Sequence, residues 1–184
     1  MGRSPALAAI RPFREADWPG VWAVLEPVFR AGETFPHDPE ISPEEARRAW
    51  VEAVDATFVA TAADGAILGT YYLRPNQPAL GAHVANAGYV VAEAARGRGL
   101  AHALCRHSQQ EAVRLGYRAM QFNLVVATNA AGVAAWSRNG FRTIGRLPGA
   151  FRHPRLGYVD ALVMFRTLED MGTCLPAPLS RMER

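Results

Sequence analysis

A chain of 184 residues with 49% apolar composition is long enough for one sizeable core and too apolar to remain disordered. Its net charge of +3 includes 20 basic residues, all arginine and scattered singly except for Arg47-Arg48, so no nucleic-acid footprint is drawn. No apolar run approaches the ~18 residues of a membrane span, and no signal-peptide core follows Met1-Gly2-Arg3-Ser4-Pro5, which makes the cytoplasm the expected compartment.

In chain order, the pattern predicts a short strand over residues 8–12. A helix follows from Asp17, its N-cap, to about residue 30, with Pro19 in the first turn. Residues 31–41, rich in Gly, Pro and Asp, read as a loop. Ser42-Pro43-Glu44-Glu45 is a capping box with proline at the first helical position, opening a helix to about residue 53. Strands are expected over 57–62 and 66–73 around the turn Ala63-Asp64-Gly65. A loop over 75–81 leads to a long apolar strand over 83–92. An amphipathic helix over 100–115 ends at Gly116. Residues 118–126 read as strand and 129–139 as a helix ended by Gly140. The last strands are expected over 141–147 and 158–166, around a loop over 148–157. Residues 169–184 read as a loose tail, since Pro176 and Pro178 argue against helix, so the single domain is expected over 8–168. This order predicts an α/β fold with a mixed sheet.

Arg96-Gly97-Arg98-Gly99-Leu100-Ala101 joins the apolar strand to the amphipathic helix. A glycine-rich turn opening a helix aims several unpaired N–H groups one way, and the helix dipole adds positive potential. That makes an anion site suited to a pyrophosphate. Gly97 and Gly99 let the backbone come close, and Arg96 and Arg98 add charge at the rim. The spacing fits neither G-x-G-x-x-G nor G-x-x-x-x-G-K-[ST].

The segment resembles the acyl-CoA pyrophosphate motif of the GCN5-related N-acetyltransferase superfamily, R/Q-x-x-G-x-G/A. Val91 stands where that family ends its central strand, and Asn129 to Phe141 is similar to its N-x-x-A-x-x-L-Y-x-x-x-G-F segment. The resemblance covers about residues 10–168. It implies a central mixed sheet, splayed between two strands and flanked by about four helices. It also implies acetyl-CoA as acetyl donor. The pantetheine arm would pair with the splayed strands through the backbones of Val90 and Val91, and the Val91 N–H would stabilise the oxyanion. His37, His83, His102 and His107 show no metal-ligand spacing, so no metal is expected. Dimers are frequent in the family, which makes a homodimer an open expectation.

One departure matters. The family's tyrosine acid, four residues before the Gly-Phe pair, is here Trp136. An indole N–H donates a hydrogen bond but does not give up its proton, so Trp136 is expected to pack against the pantetheine. Asn123 lies inside an apolar strand, where Gln121, Asn123 and Val125 share one face and Met120, Phe122 and Leu124 the other. A buried amide must find partners, so Asn123 either orients the amine, a water or the acetyl carbonyl, or pairs with splayed backbone. Asn129 is an N-cap or a pantetheine contact; Asn86 is a bulge residue or a substrate contact. Asn86-Ala87-Gly88, Phe122-Asn123-Leu124-Val125, Thr128-Asn129 and Trp136 are similar to the fungal acetyltransferases acting on azetidine-2-carboxylate and related imino acids, which also carry tryptophan.

Glu33 is either a ligand for an ammonium or a solvated loop carboxylate. Tyr158 is a candidate replacement acid. Arg152, His153 and Arg155 either meet a substrate carboxylate or serve solubility. Cys105 falls in the apolar helix pattern as a buried thiol, and Cys105 and Cys174 make no disulfide framework. The resemblance implies acetyl transfer to the amine of a small amino or imino acid, and with no nucleophile beside a paired base the transfer is expected to be a direct attack in a ternary complex. The alternatives are acetylation of protein or peptide amines and a non-catalytic acyl-CoA-binding module.

Overall fold

The computed structural model describes residues 7–171. Its strands are β1 (Leu7–Pro12), β2 (Ala56–Ala62), β3 (Ile67–Pro75), β4 (Val84–Val91), β5 (Ala119–Val126), β6 (Arg142–His153) and β7 (Gly157–Thr167). Its α-helices are α1 (Trp18–Ala31), α2 (Pro43–Arg47), α3 (Leu100–Arg114) and α4 (Ala130–Arg138). All seven strands form one sheet in the order β1-β2-β3-β4-β5-β7-β6, antiparallel except between β4 and β5. This is the mixed sheet the element order predicts. No helix among the described residues is long and apolar enough to cross a membrane.

Helix α1 buries Val21, Val24, Leu25 and Phe29, the 3–4 spacing of one helical face. Asp17 is not its side-chain cap. Arg11 draws the carboxylate away in a 2.7 Å ion pair, and Asp17 also accepts from the Arg14 N–H. The capping box at α2 forms as expected, with Ser42 Oγ accepting from the Glu45 N–H and the Glu45 carboxylate accepting from the Ser42 N–H. The helix then widens into a π-turn over Arg48–Glu52, from which Trp50 is fully buried.

The sheet carries a core on each face. Helices α1 and α2 cover Val59 and Val90 on one side, with Trp50 between. Helix α3 packs Leu100, Leu104, Cys105 and Ala112 on the other, against Phe58, Tyr71, Leu73 and Met120. Burial pushes the Cys105 thiol up to about 12. The opposite faces follow from period-two alternation along β3 and β4.

Two expectations change at the C-terminal end. Residues 148–157 are mostly strand, because Pro148-Gly149-Ala150 lies in a register shift of the edge strand β6 between Leu147 and Phe151. An edge strand with a bulge accommodates a proline that an interior ladder would reject. The tail begins ordered: directly after the buried Leu168 that ends the expected domain, Glu169–Met171 form a short 3-10 turn held by an Arg166–Asp170 pair at 3.0 Å. The rest of the expected tail, with Cys174, Pro176 and Pro178, lies outside the described residues.

Candidate active site

Strands β4 and β5 pair at Val84–Ala119 and Ala85–Met120, where their ladder stops. In an antiparallel ladder, alternate residues turn their N–H and C=O groups to opposite sides. The Ala92 N–H bonds the Leu68 carbonyl at 2.9 Å and the Asn76 N–H bonds the Val84 carbonyl at 2.7 Å. Even-numbered residues of β4 therefore face β3, and Ala87, Tyr89 and Val91 turn their backbone groups toward β5. Val91 has the expected orientation. Val90 does not: its backbone belongs to the β3 side, and its side chain is buried beneath α1.

The gap opens at one end on the turn from Arg96 to Gly99, all of it exposed. Gly97 and Gly99 have left-handed φ values of 75° and 78°. A Cβ at either would meet no protein atom within 4 Å, so conformation, not crowding, requires glycine there. Gly99 is the N-cap of α3, has no side chain to engage the first-turn donors, and no acidic residue occupies that turn. The N–H groups of Leu100 and Ala101 thus remain for an anion. The buried Leu100 side chain anchors the turn in the core. This donor chemistry fits the pyrophosphate of a coenzyme A.

Trp136 of α4 spans the gap on the α3 face. Its ring lies 4.9 Å from Tyr89 of β4 and 5.3 Å from Phe122 of β5, centroid to centroid. The Tyr89 hydroxyl meets Ser108 Oγ at 2.6 Å, and Ser108 in turn donates to the Cys105 carbonyl at 2.8 Å. Tyr89 must therefore donate away from the gap, and burial pushes its hydroxyl well above the usual tyrosine range. Asn129 caps α4, its Oδ1 accepting from the Gly132 N–H at 3.0 Å, so any ligand contact falls to its Nδ2.

On the α1–α2 face the gap is bridged by side-chain amides. Asn76 Oδ1 accepts from Asn86 Nδ2 at 3.1 Å and from Asn123 Nδ2 at 2.7 Å. Asn123 Oδ1 accepts from Gln121 Nε2 at 2.8 Å. The network thus ties β4 to β5 just beyond the end of their ladder. Asn86 is no bulge residue, since its pairing with Arg74 lies in unbroken register. The bulge is on β5, between Phe122 and Val125. It leaves Asn123 exposed, not buried, and turns Val125 into the core beside Phe122, away from the face of Gln121 and Asn123.

Next to the amides, Tyr72 stands edge-on to Trp50 at 4.8 Å. Gly88 permits this packing, because a Cβ there would come within 2.7 Å of the Tyr72 ring. Phe35 and His37 of the α1–α2 loop pack on Phe29. Burial, and then the Arg74 charge, hold His37 below the usual histidine range.

The remaining candidates stand apart. Glu33 is ion-paired with Arg155 at the hairpin tip. His153 is buried, with Nδ1 accepting from the Arg155 N–H at 3.2 Å. Tyr158 is 77% exposed on the part of the β6–β7 hairpin that overhangs β5, paired with Arg152. Sequence reasoning missed Asn76, Arg74 and Tyr72. A lone asparagine in Pro75-Asn76-Gln77-Pro78 reads as a turn, and only the β3–β4 register reveals its position.

The acetyltransferase (GNAT) family model matches residues 18–141. The chain is 35% identical over 108 residues to N-acetyltransferase aca1 of Schizosaccharomyces pombe, covering 56% of this chain and 52% of that one. The match thus spans about half the length of that curated relative. A GCN5-related N-acetyltransferase from Kribbella flavida superposes with a TM-score of 0.82 at 46% identity, covering 86% of this chain and 96% of that one. The structure of yncA from Salmonella typhimurium with its cofactor acetyl-CoA has a TM-score of 0.78 at 20% identity, covering 94% and 99% of the two chains. At that identity the likeness concerns the fold.

Proposed function

The chain belongs to the acetyltransferase (GNAT) family, and from that premise we propose that it moves an acetyl group from acetyl-CoA to the amine of a small amino or imino acid. The transfer is a direct attack within a ternary complex. The observation that carries this is the gap between β4 and β5, open to a phosphate turn at one end and lined by amides on the opposite face.

The first-turn N–H groups of α3, from Gly99 to Ala101, hold the pyrophosphate, with Arg96 and Arg98 at its rim. Asn129 Nδ2 and the Trp136 ring line the pantetheine arm. The Val91 N–H, with that of Tyr89 one alternation earlier, faces the thioester oxygen and stabilises the charge it gains. Asn123 and Asn86 orient the amine from the other face. As the C–N bond forms and the C–S bond breaks, the surplus proton passes to water, because an amide does not accept it. A thiol of ordinary pKa, about 8.5, departs as thiolate without a dedicated acid. That accounts for an indole at position 136.

The test is release of CoA thiol from acetyl-CoA across imino acids, amino acids, polyamines and peptides. Rapid release with a small amino or imino acid is expected. Release confined to peptides would replace the substrate class. Tight acetyl-CoA binding with no release from any amine would favour a non-catalytic module.

A further inference from the structure

We infer that Arg74 is the carboxylate receptor of the acceptor site, selecting amines that carry an adjacent carboxylate; this rests on the function proposed above. Arg74 sits on β3 directly opposite Asn86, on the face that also carries Tyr72 and Asn76. Directly opposed residues in an antiparallel pair bring their Cβ atoms within about 5 Å. The guanidinium and the amide network thus border the same small volume.

Arg74 is exposed, and its Cζ lies 5.6 Å above the Tyr72 ring. A guanidinium resting over an aromatic ring keeps its N–H fork at the edges, ready for a planar anion. Tyr72 is itself fixed by Trp50, whose indole N–H bonds Thr70 Oγ1 at 3.1 Å. The receptor therefore stands on a rigid floor. Among the described residues Arg74 takes part in no ion pair, whereas Arg155, the hairpin-tip candidate for the same task, is engaged by Glu33. His37 is held below the usual histidine range by burial and then by the Arg74 charge, so it does not compete for the anion as a second cation at neutral pH.

A carboxylate takes two parallel N–H bonds from such a fork, which a neutral carboxamide cannot match. An amine one carbon away from that carboxylate would lie toward Asn86 and Asn123. The acceptor class is then an α-amino or α-imino acid with a free carboxylate.

The experiment compares the acid that releases most thiol with its own carboxamide, for example L-proline with L-prolinamide. In the unaltered protein kcat/KM should favour the acid by at least about tenfold, as charge-assisted bidentate pairing requires. Arg74→Gln should bring that ratio close to one, chiefly by raising the KM of the acid. The KM for acetyl-CoA should stay within about twofold, since Arg74 lies on the opposite face from α3. Arg74→Lys should recover part of the preference. A ratio unchanged in Arg74→Gln, or no preference in the unaltered protein, would overturn the assignment of Arg74 while leaving acetyl transfer standing. Absence of thiol release with every amine would instead remove the parent function, and this receptor with it.

Discussion

The two faces of the β4–β5 gap are built by different means. The α3 face presents backbone: a turn with φ values of 75° and 78°, a helix N-terminus, and N–H groups from alternate residues of β4. The α1–α2 face presents side chains: Asn76, Asn86, Asn123 and Arg74, drawn from three strands and the loop after β3. A backbone site constrains few side chains and tolerates little change in conformation. A side-chain site can be retuned one residue at a time. Cofactor binding should therefore fail abruptly under mutation, and acceptor chemistry should fail in steps.

The largest expected effect is Gly99→Glu. It forces a left-handed residue and adds a negative charge at the dipole's positive end. Acetyl-CoA affinity by calorimetry should fall by roughly two orders of magnitude, the combined scale of those costs. Affinity within twofold of the original would sever the turn from the cofactor.

On the opposite face, Asn123→Ala should lower kcat by about 10- to 100-fold, the scale of one or two lost positioning hydrogen bonds. Acetyl-CoA affinity should not change. Asn76→Ala should cost a similar factor, because both Asn86 and Asn123 lose their shared acceptor. The double variant should fall short of the product of the two, since the residues form one network. Full multiplicativity would show the amides acting separately.

Each face also holds a histidine whose protonation is disfavoured: His37 by burial and Arg74, and His107 of α3 by burial, with Glu111 opposing and Arg114 assisting. The Tyr71 hydroxyl and His107 Nδ1 share a hydrogen bond at 2.7 Å. Both folded-state values lie below the unfolded value of 6.5, so the unfolded chain takes up protons first. Stability is thus full above 6.5 and is lost as pH falls through it. Asp17, depressed by its bond to Arg11, adds a further loss below 3.8. Thermal melts should drop by a few degrees between pH 7.5 and 5.5. His107→Gln and His37→Gln should each flatten that slope; a slope intact in both would assign it to other groups.

The smallest effect is expected from Tyr158→Phe, because an exposed phenol on the hairpin overhang has no enclosure to make it an acid. Thiol release should stay within about twofold, whereas a tenfold loss would restore Tyr158 as the proton donor.

This difference between the faces also explains what could be read from sequence. The turn from Arg96 to Gly99 was legible because glycines at a strand–helix junction point to the positive φ values found there. The α2 capping box was legible for the same local reason. Asn123 was visible as a polar residue in an apolar strand, but the bulge that exposes it and turns Val125 inward depends on pairing with β7. Val90 and Val91 look alike in sequence, and only the ladder register separates them. Asn76 and Arg74 gain meaning from residues 10 to 47 positions away in the chain, which no local pattern records. Pro148-Gly149 reads as a loop because a sequence does not show that its strand lies at an edge.

Direct transfer across the gap is tested most squarely by steady-state kinetics with acetyl-CoA and the best amine both varied. Intersecting double-reciprocal lines are expected, with no acetylated protein detected by intact mass after incubation with acetyl-CoA alone. Parallel lines, together with a mass increase of one acetyl group, would mean that the protein itself carries the acetyl group and that the amine does not attack the thioester.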